Sequence, residues 1–204
     1  MAGFDPARLS GVDLVHLASV GYPHQTPGFD PRSGEGARRF GGRYNSPRSF
    51  PVIYLCLTKP CVGAELTRQA ERQSVQVEDL LPREIWSVAT DLGKVLDLTD
   101  HSVCVAAAVD PAVLVRPGHR FTRQIGEAAH ERGVQAIKSP SATGIDDVLA
   151  LFPENLALAS DPGAGTRGGM GVDPRPSRLS RASPPAPGVV PGGHAWCGRP
   201  AGCS

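Results

Sequence analysis

Apolar residues come in short runs along this chain, each bounded by glycine, proline or charge, and only two stretches carry helical spacing. Residues 51–57, PVIYLCL, are continuously apolar, β-branched and aromatic, with proline on either side, which predicts a buried strand. Residues 12–19, VDLVHLAS, read as a first strand, and 84–100 as two short strands joined by a glycine turn near Leu92–Lys94. Two more strands are expected at 134–140 and 147–152. Between them, Thr58 followed by Pro60 has the form of a helix start, a hydroxyl cap and then a proline in the first turn. Val62, Leu66 and Ala70 continue it at helical period, and Glu65 falls toward the strand–helix junction. A second helix is expected over 120–133, with Gly133 as its C-terminal cap. Strands interleaved with two helices predict an α+β fold on a mixed or antiparallel sheet, not a doubly wound parallel one.

The stretches without apolar period divide into two kinds. Residues 20–50 are dense in Gly, Pro, Arg and Ser, and structureless loops of that length in compact domains are usually functional or disordered. Residues 161–204 hold ten Gly and eight Pro. Such a segment buries too little surface to offset its ordering entropy, so the chain divides into a folded domain over 1–160 and a disordered Gly/Pro-rich tail over 161–204. The tail carries five arginines against two aspartates, so the net charge of +1 leaves the body slightly acidic. A body of that charge argues against direct nucleic-acid binding. No apolar run is long enough to span a bilayer, and no secretory signal opens the chain, so a soluble cytoplasmic protein without membrane partners is expected. The five cysteines are dispersed, with no C-x-x-C pair and no paired histidines, so no metal site is expected; Cys56 and Cys104 read as small buried hydrophobes.

Candidate chemistry gathers around 33–47, SGEGARRFGGRYNSP, where Arg38, Arg39 and Arg43 stand among four glycines. Arg43, Tyr54 and Glu65 follow at equal intervals on a loop, a strand and a helix. A loop–strand–helix path folds back so that three such residues surround one cleft. A guanidinium fork clamps a phosphate or carboxylate, an aromatic ring stacks on a flat ligand, and a carboxylate stabilises a developing cation. Gly41 and Gly42 leave room for a phosphate to approach the backbone. The competing reading of the same three residues is an exposed arginine, a core tyrosine and a solvent-facing helical glutamate.

The GGRYN–P loop, the YL strand and the Glu on the next helix resemble the RES domain family, toxins of bacterial toxin–antitoxin pairs. LDLTD, RQIGEAA and SPSATG extend the resemblance, which covers residues 12–157. It implies an ADP-ribosyltransferase-like RES fold and an enzyme that consumes NAD as substrate, without a cofactor, by cleaving the nicotinamide–ribose bond. Hydrolysis, phosphorolysis and ADP-ribosyl transfer all begin with that cleavage. The partner implied is an Xre-like antitoxin protein, expected to cover the cleft. The Arg, Glu and Ser of the family name correspond to Arg43, Glu65 and a serine of KSPSATG, Ser141 in preference to Ser139. The resemblance makes Glu65 and Arg43 catalytic, and makes Arg43, Tyr54, Ser141 and Gly42 the residues that bind NAD.

Breaking the C–N bond passes through an oxocarbenium-like state, and the pyridinium leaves as neutral nicotinamide with no need of an acid. The site must therefore supply cation stabilisation, suited to Glu65, and positioning, suited to Arg43. Arg38 and Arg39 either add to the field or contact the antitoxin or water. Family members often carry a further Arg in the first strand, where this chain has His16 or Leu17. That departure supports the alternative of a catalytically degenerate RES domain acting as a protein-binding module.

Overall fold

The computed structural model describes residues 3–159, 169–173 and 175–180. In chain order it contains β1 (Val15–Gly21), β2 (His24–Gln25), α1 (Glu35–Phe40), β3 (Ile53–Cys56), α2 (Lys59–Gln73), β4 (Arg83–Ile85) and β5 (Val88–Asp97). There follow α3 (His101–Ala106), α4 (Pro111–Val115), α5 (Arg120–Glu131), β6 (Ala136–Pro140), β7 (Asp147–Leu151), α6 (Pro153–Ala159), β8 (Gly169–Val172) and β9 (Ser177–Leu179). The main sheet has the order β1-β5-β6-β7-β3, with β8 added beside β5. Among the described strands, only β5 and β6 pair in parallel, and every other pair is antiparallel. A small second sheet runs β2-β4-β9. The architecture is the α+β mixed sheet expected.

The sheet is buried on both faces. On one, Leu96, Ile137, Ala150 and Phe152 pack against Leu9, Leu114 of α4 and Ile125 of α5. On the other, Leu55, Leu92, Val95, Leu149 and Leu151 form a second cluster with Leu156 of α6. Helix α2 starts where the sequence indicates: the Thr58 hydroxyl accepts from the Cys61 backbone N–H, and Val62, Leu66 and Ala70 are buried. Gly133 follows α5 at φ 75°, the left-handed stop that glycine accepts without strain. Cys56, Cys61 and Cys104 are buried free thiols, whereas Cys197 and Cys203 lie outside the described residues.

Four expectations require correction. The glycine turn near Leu92–Lys94 is not a turn, because β5 runs through it as one strand of ten residues. The β1–β5 register shifts there, from Val15↔Val95 to Leu17↔Leu92, and the Gln135 side chain accepts from both Gly93 and Lys94 N–H groups at 2.8 and 3.1 Å. Gly93 thus marks a bulge, and a buried side chain replaces the missing ladder partners. The helices exceed two, since α1, α3, α4 and α6 are too short to show a period. The stretch 20–50 is not all loop: it holds β2 and α1, the latter entered from Gly34 at φ 60° and braced by Arg38 on Glu35 at 2.7 Å. Residues 161–204, expected to be without structure, contribute β8, paired along Val88–Asp91, and β9, paired with β4. The remainder of that segment lies outside the described residues.

Candidate functional site

The loop after α1 is built on Asn45, which is fully buried. Its side-chain amide donates to the carbonyls of Ala37 and Phe50 at 2.7 and 3.3 Å, and its own carbonyl accepts from Gly42 N–H at 2.9 Å. Its side-chain oxygen accepts from the Tyr54 hydroxyl at 3.0 Å, and that hydroxyl accepts from the Tyr44 N–H at 2.8 Å. One asparagine and one phenol therefore tie α1, the glycine loop and β3 together. Burial raises the Tyr54 phenol well above its usual value, so it stays protonated and donates.

The glycines serve this closure. A Cβ on Gly42 would lie 2.4 Å from the Tyr54 hydroxyl, and Gly41, at φ 74°, sits against the Pro47 ring. The third close approach is Gly126 of α5, where a Cβ would stand 1.8 Å from the Tyr44 carbonyl oxygen. The helix packs directly on the loop backbone because residue 126 has no side chain.

These contacts form one wall of an open cleft of about 550 Å³. Gly42, Arg43, Tyr54 and Glu65 all line it, so the loop–strand–helix reading brings the expected residues together and the three are not independent surface or core positions. Arg43 donates to the Leu114 carbonyl, which fixes its fork at the end of α4. Burial pulls its guanidinium below the usual value; Tyr44 and Glu65 act in the opposite sense, and Arg68 reinforces the lowering. It remains a cation at any physiological pH.

Ser141 stands behind Glu65 rather than in the cleft wall. It is buried, and its hydroxyl donates to the Glu65 carboxylate at 2.7 Å. The same oxygen accepts from Thr143 N–H at 3.1 Å and lies 2.7 Å from the Thr143 hydroxyl. Its hydrogen-bonding capacity is thus filled by the protein.

His16 is on the surface, 2.6 Å from Asp91 on the neighbouring strand, and supplies no cation to the cleft. Arg38 is exposed and paired with Glu35. The cleft instead holds Arg72 and Arg123, with His24 and His119, none of which the sequence singled out. Arg123 donates to the Gly42 carbonyl at 3.0 Å. His119, at the start of α5, is pushed down to about 4 by burial and then by Arg43, Arg123 and Arg72. His24 is pushed down to about 4 by burial and by Arg83. Both imidazoles are neutral near pH 7. Asn45 stood in the quoted motif and was legible there as a residue type, whereas Arg72, His119 and Arg123 reach the cleft only through the packing of α2 and α5.

Among the described residues no helix is long and apolar enough to cross a membrane. The NAD(+) phosphorylases MbcT of Mycobacterium bovis and Mycobacterium tuberculosis are 33% identical to this chain over 150 residues, 72% of this chain and 80% of each relative. The crystal structure of the M. tuberculosis MbcT–MbcA toxin–antitoxin complex matches with a TM-score of 0.71 at 24% identity, covering 86% of this chain and 91% of that one. This structural likeness establishes a shared fold. The RES domain family model matches residues 18–168, a span that contains the whole Arg43–Tyr54–Glu65 cleft. With that match and those relatives, the chain belongs to the RES domain family.

Proposed function

We propose that this protein is a toxin that consumes NAD by breaking the bond between nicotinamide and ribose, with inorganic phosphate as the acceptor. The observation that carries this reading is the convergence of Arg43, Tyr54 and Glu65 on one cleft, in a chain one-third identical to NAD(+) phosphorylases. Arg43 holds a phosphate oxygen of the dinucleotide, and the Tyr54 ring with Gly42 forms the wall against which the nicotinamide end rests. The Glu65 carboxylate faces the ribose and stabilises positive charge developing at C1′ as the C–N electron pair leaves with nicotinamide. Ser141 is a positioning residue: its donated hydrogen bond fixes the carboxylate in one rotamer. NAD is substrate and no cofactor takes part.

The partner is an Xre-like antitoxin protein, and the setting is the cytoplasm, where NAD is abundant and an uncontrolled enzyme of this kind is lethal. The presence of Arg123 in the cleft, bonded to the Gly42 carbonyl, favours the enzyme over a degenerate binding module, because the charge that a first-strand arginine would supply enters from another element.

The test is release of free nicotinamide by purified protein freed of antitoxin, with and without added phosphate. Glu65→Gln keeps shape and removes charge, and is expected to lower turnover by about two to three decades. Arg43→Ala is expected to act mainly through KM. Wild-type protein that releases nothing under either condition, or with cell extract as acceptor, would overturn the proposal.

A further inference from the structure

A second cleft of about 420 Å³ adjoins the first and shares Arg72, His119 and Arg123 with it. Its wall adds Arg68 and a single carboxylate, Glu71. Among the described residues, no carboxylate ion-pairs with Arg68, Arg72 or Arg123. The hydrogen bonds that Arg68 and Arg123 do make go to neutral carbonyls, of Ala142 at 2.9 Å and Gly42 at 3.0 Å. Arg68 also keeps a buried Nε–H with no partner in the protein. Uncompensated charge on the part-buried Arg68 and Arg123 and an unsatisfied buried donor are both costly, and an anion held beside them offsets that cost.

We propose that Arg68, Arg72, His119 and Arg123 form a second subsite for a phosphate group, distinct from the Arg43 clamp, and that the group held there is the attacking inorganic phosphate. This rests on the NAD-cleaving reading above. Glu65, Arg68 and Arg72 stand at i, i+3 and i+7 on α2, so one stripe of the helix runs from the carboxylate into the cationic cleft. The Ser141–Ala142 segment touches both ends of the arrangement, Ser141 bonding Glu65 and Ala142 bonding Arg68.

The chemistry requires such a site. A phosphate dianion must come close to a carboxylate and a pyrophosphate, and the repulsion has to be offset by fixed cations. As the C1′–N bond breaks, its electron pair leaves with nicotinamide, which becomes neutral. A phosphate oxygen then forms the C1′–O bond. The HPO₄²⁻ keeps its proton, so charge balances between substrates and products with no acid or base. The neutral state of His119 fits, because burial first and then three arginines hold its proton off, and its ring remains a hydrogen-bonding group for the anion.

The decisive variant is Arg72→Gln, on an exposed position whose side chain makes no hydrogen bond within the described structure, with Arg72→Lys as the charge-conserving control. Inorganic phosphate alone is titrated into the full-length protein by calorimetry, and the KM values for phosphate and for NAD are measured separately. Arg72→Gln is expected to weaken phosphate about tenfold or more, with Arg72→Lys recovering most of it and the KM for NAD little changed. A rise in the KM for NAD alone would retain a phosphate subsite but assign it to the dinucleotide's own pyrophosphate. Unchanged phosphate affinity and unchanged KM values in Arg72→Gln would overturn the subsite while nicotinamide release continued. Arg72-dependent phosphate binding in a protein that releases no nicotinamide would instead retain the subsite and refute the reaction.

Discussion

Tyr54→Phe separates two roles that the cleft assigns to one residue. Tyr54 lines the cavity, whereas its hydroxyl is engaged within the protein, accepting from Tyr44 N–H at 2.8 Å and donating to the Asn45 side chain at 3.0 Å. The substitution keeps the ring and any stacking on a ligand. It leaves a buried N–H and a buried amide oxygen without partners, at about 1–3 kcal/mol each. The expected loss is therefore about 2–6 kcal/mol. For a folded unit of this size, at about 2–4 °C per kcal/mol, Tm should fall by about 4–24 °C. Because the same bonds hold the loop that carries Arg43, the KM for NAD should rise as well. The measurement is thermal unfolding alongside steady-state nicotinamide release. A Tm within about 1 °C of wild type together with collapsed activity would refute the bracing role and make the hydroxyl a group that acts on substrate. Unchanged Tm and unchanged kinetics would refute both.

Gly126→Ala should lower stability by at least about 3 kcal/mol or prevent folding, since its Cβ would meet the Tyr44 carbonyl at 1.8 Å and backbone must move. Gly63→Ala, also on a helix but with nothing within 4 Å, should be neutral or stabilising by up to about 1 kcal/mol, and equal urea midpoints for the two would refute the packing argument. Acidification should also destabilise the protein: His24 and His119 take protons near 6.5 when unfolded but only at about 4 when folded. Between those values the unfolded chain binds more protons, so stability present above pH 6.5 is lost as the pH falls toward 4, by up to about 3 kcal/mol for the buried His24 and by less for the half-exposed His119, where solvent screens the charge. Urea unfolding at pH 7, 6 and 5 measures this, and a flat profile for wild type would refute the burial of His24.

What was legible in the sequence is what is local. Residues 51–57 declare a strand by unbroken apolarity, Thr58 and Pro60 declare the start of α2, and Gly133 declares the end of α5. Arg43, Tyr54 and Glu65 were legible because loop, strand and helix follow one another directly. Features decided by distant partners were not. Gly93 reads as a turn until Gln135, about forty residues later, supplies the acceptor that lets β5 continue. Ser141 reads as a ligand-binding hydroxyl until its bond to Glu65 is seen. Arg123 and His119 read as ordinary helix-start residues, because only Gly126 allows α5 close enough to the loop to put them in the cleft. The strands at 169–172 and 177–179 are recruited by open edges on β5 and β4, not by any apolar pattern of their own.

The place of β7 in the sheet bears on when the site comes into being during synthesis. β3 carries Tyr54 and leads into the helix of Glu65, yet among the described residues its only strand neighbour is β7, apart from a single bridge between Tyr22 and Cys56. β7 is residues 147–151, so a nascent chain that has emerged only through residue 140 has β3 with no edge to join. The loop of Arg43 then has no anchored Tyr54 to close on, and Ser141 has not arrived to orient Glu65. The cleft is thus completed by nearly the last residues of the domain to leave the ribosome. An incomplete chain carries every element of the first half of the site and none of its geometry.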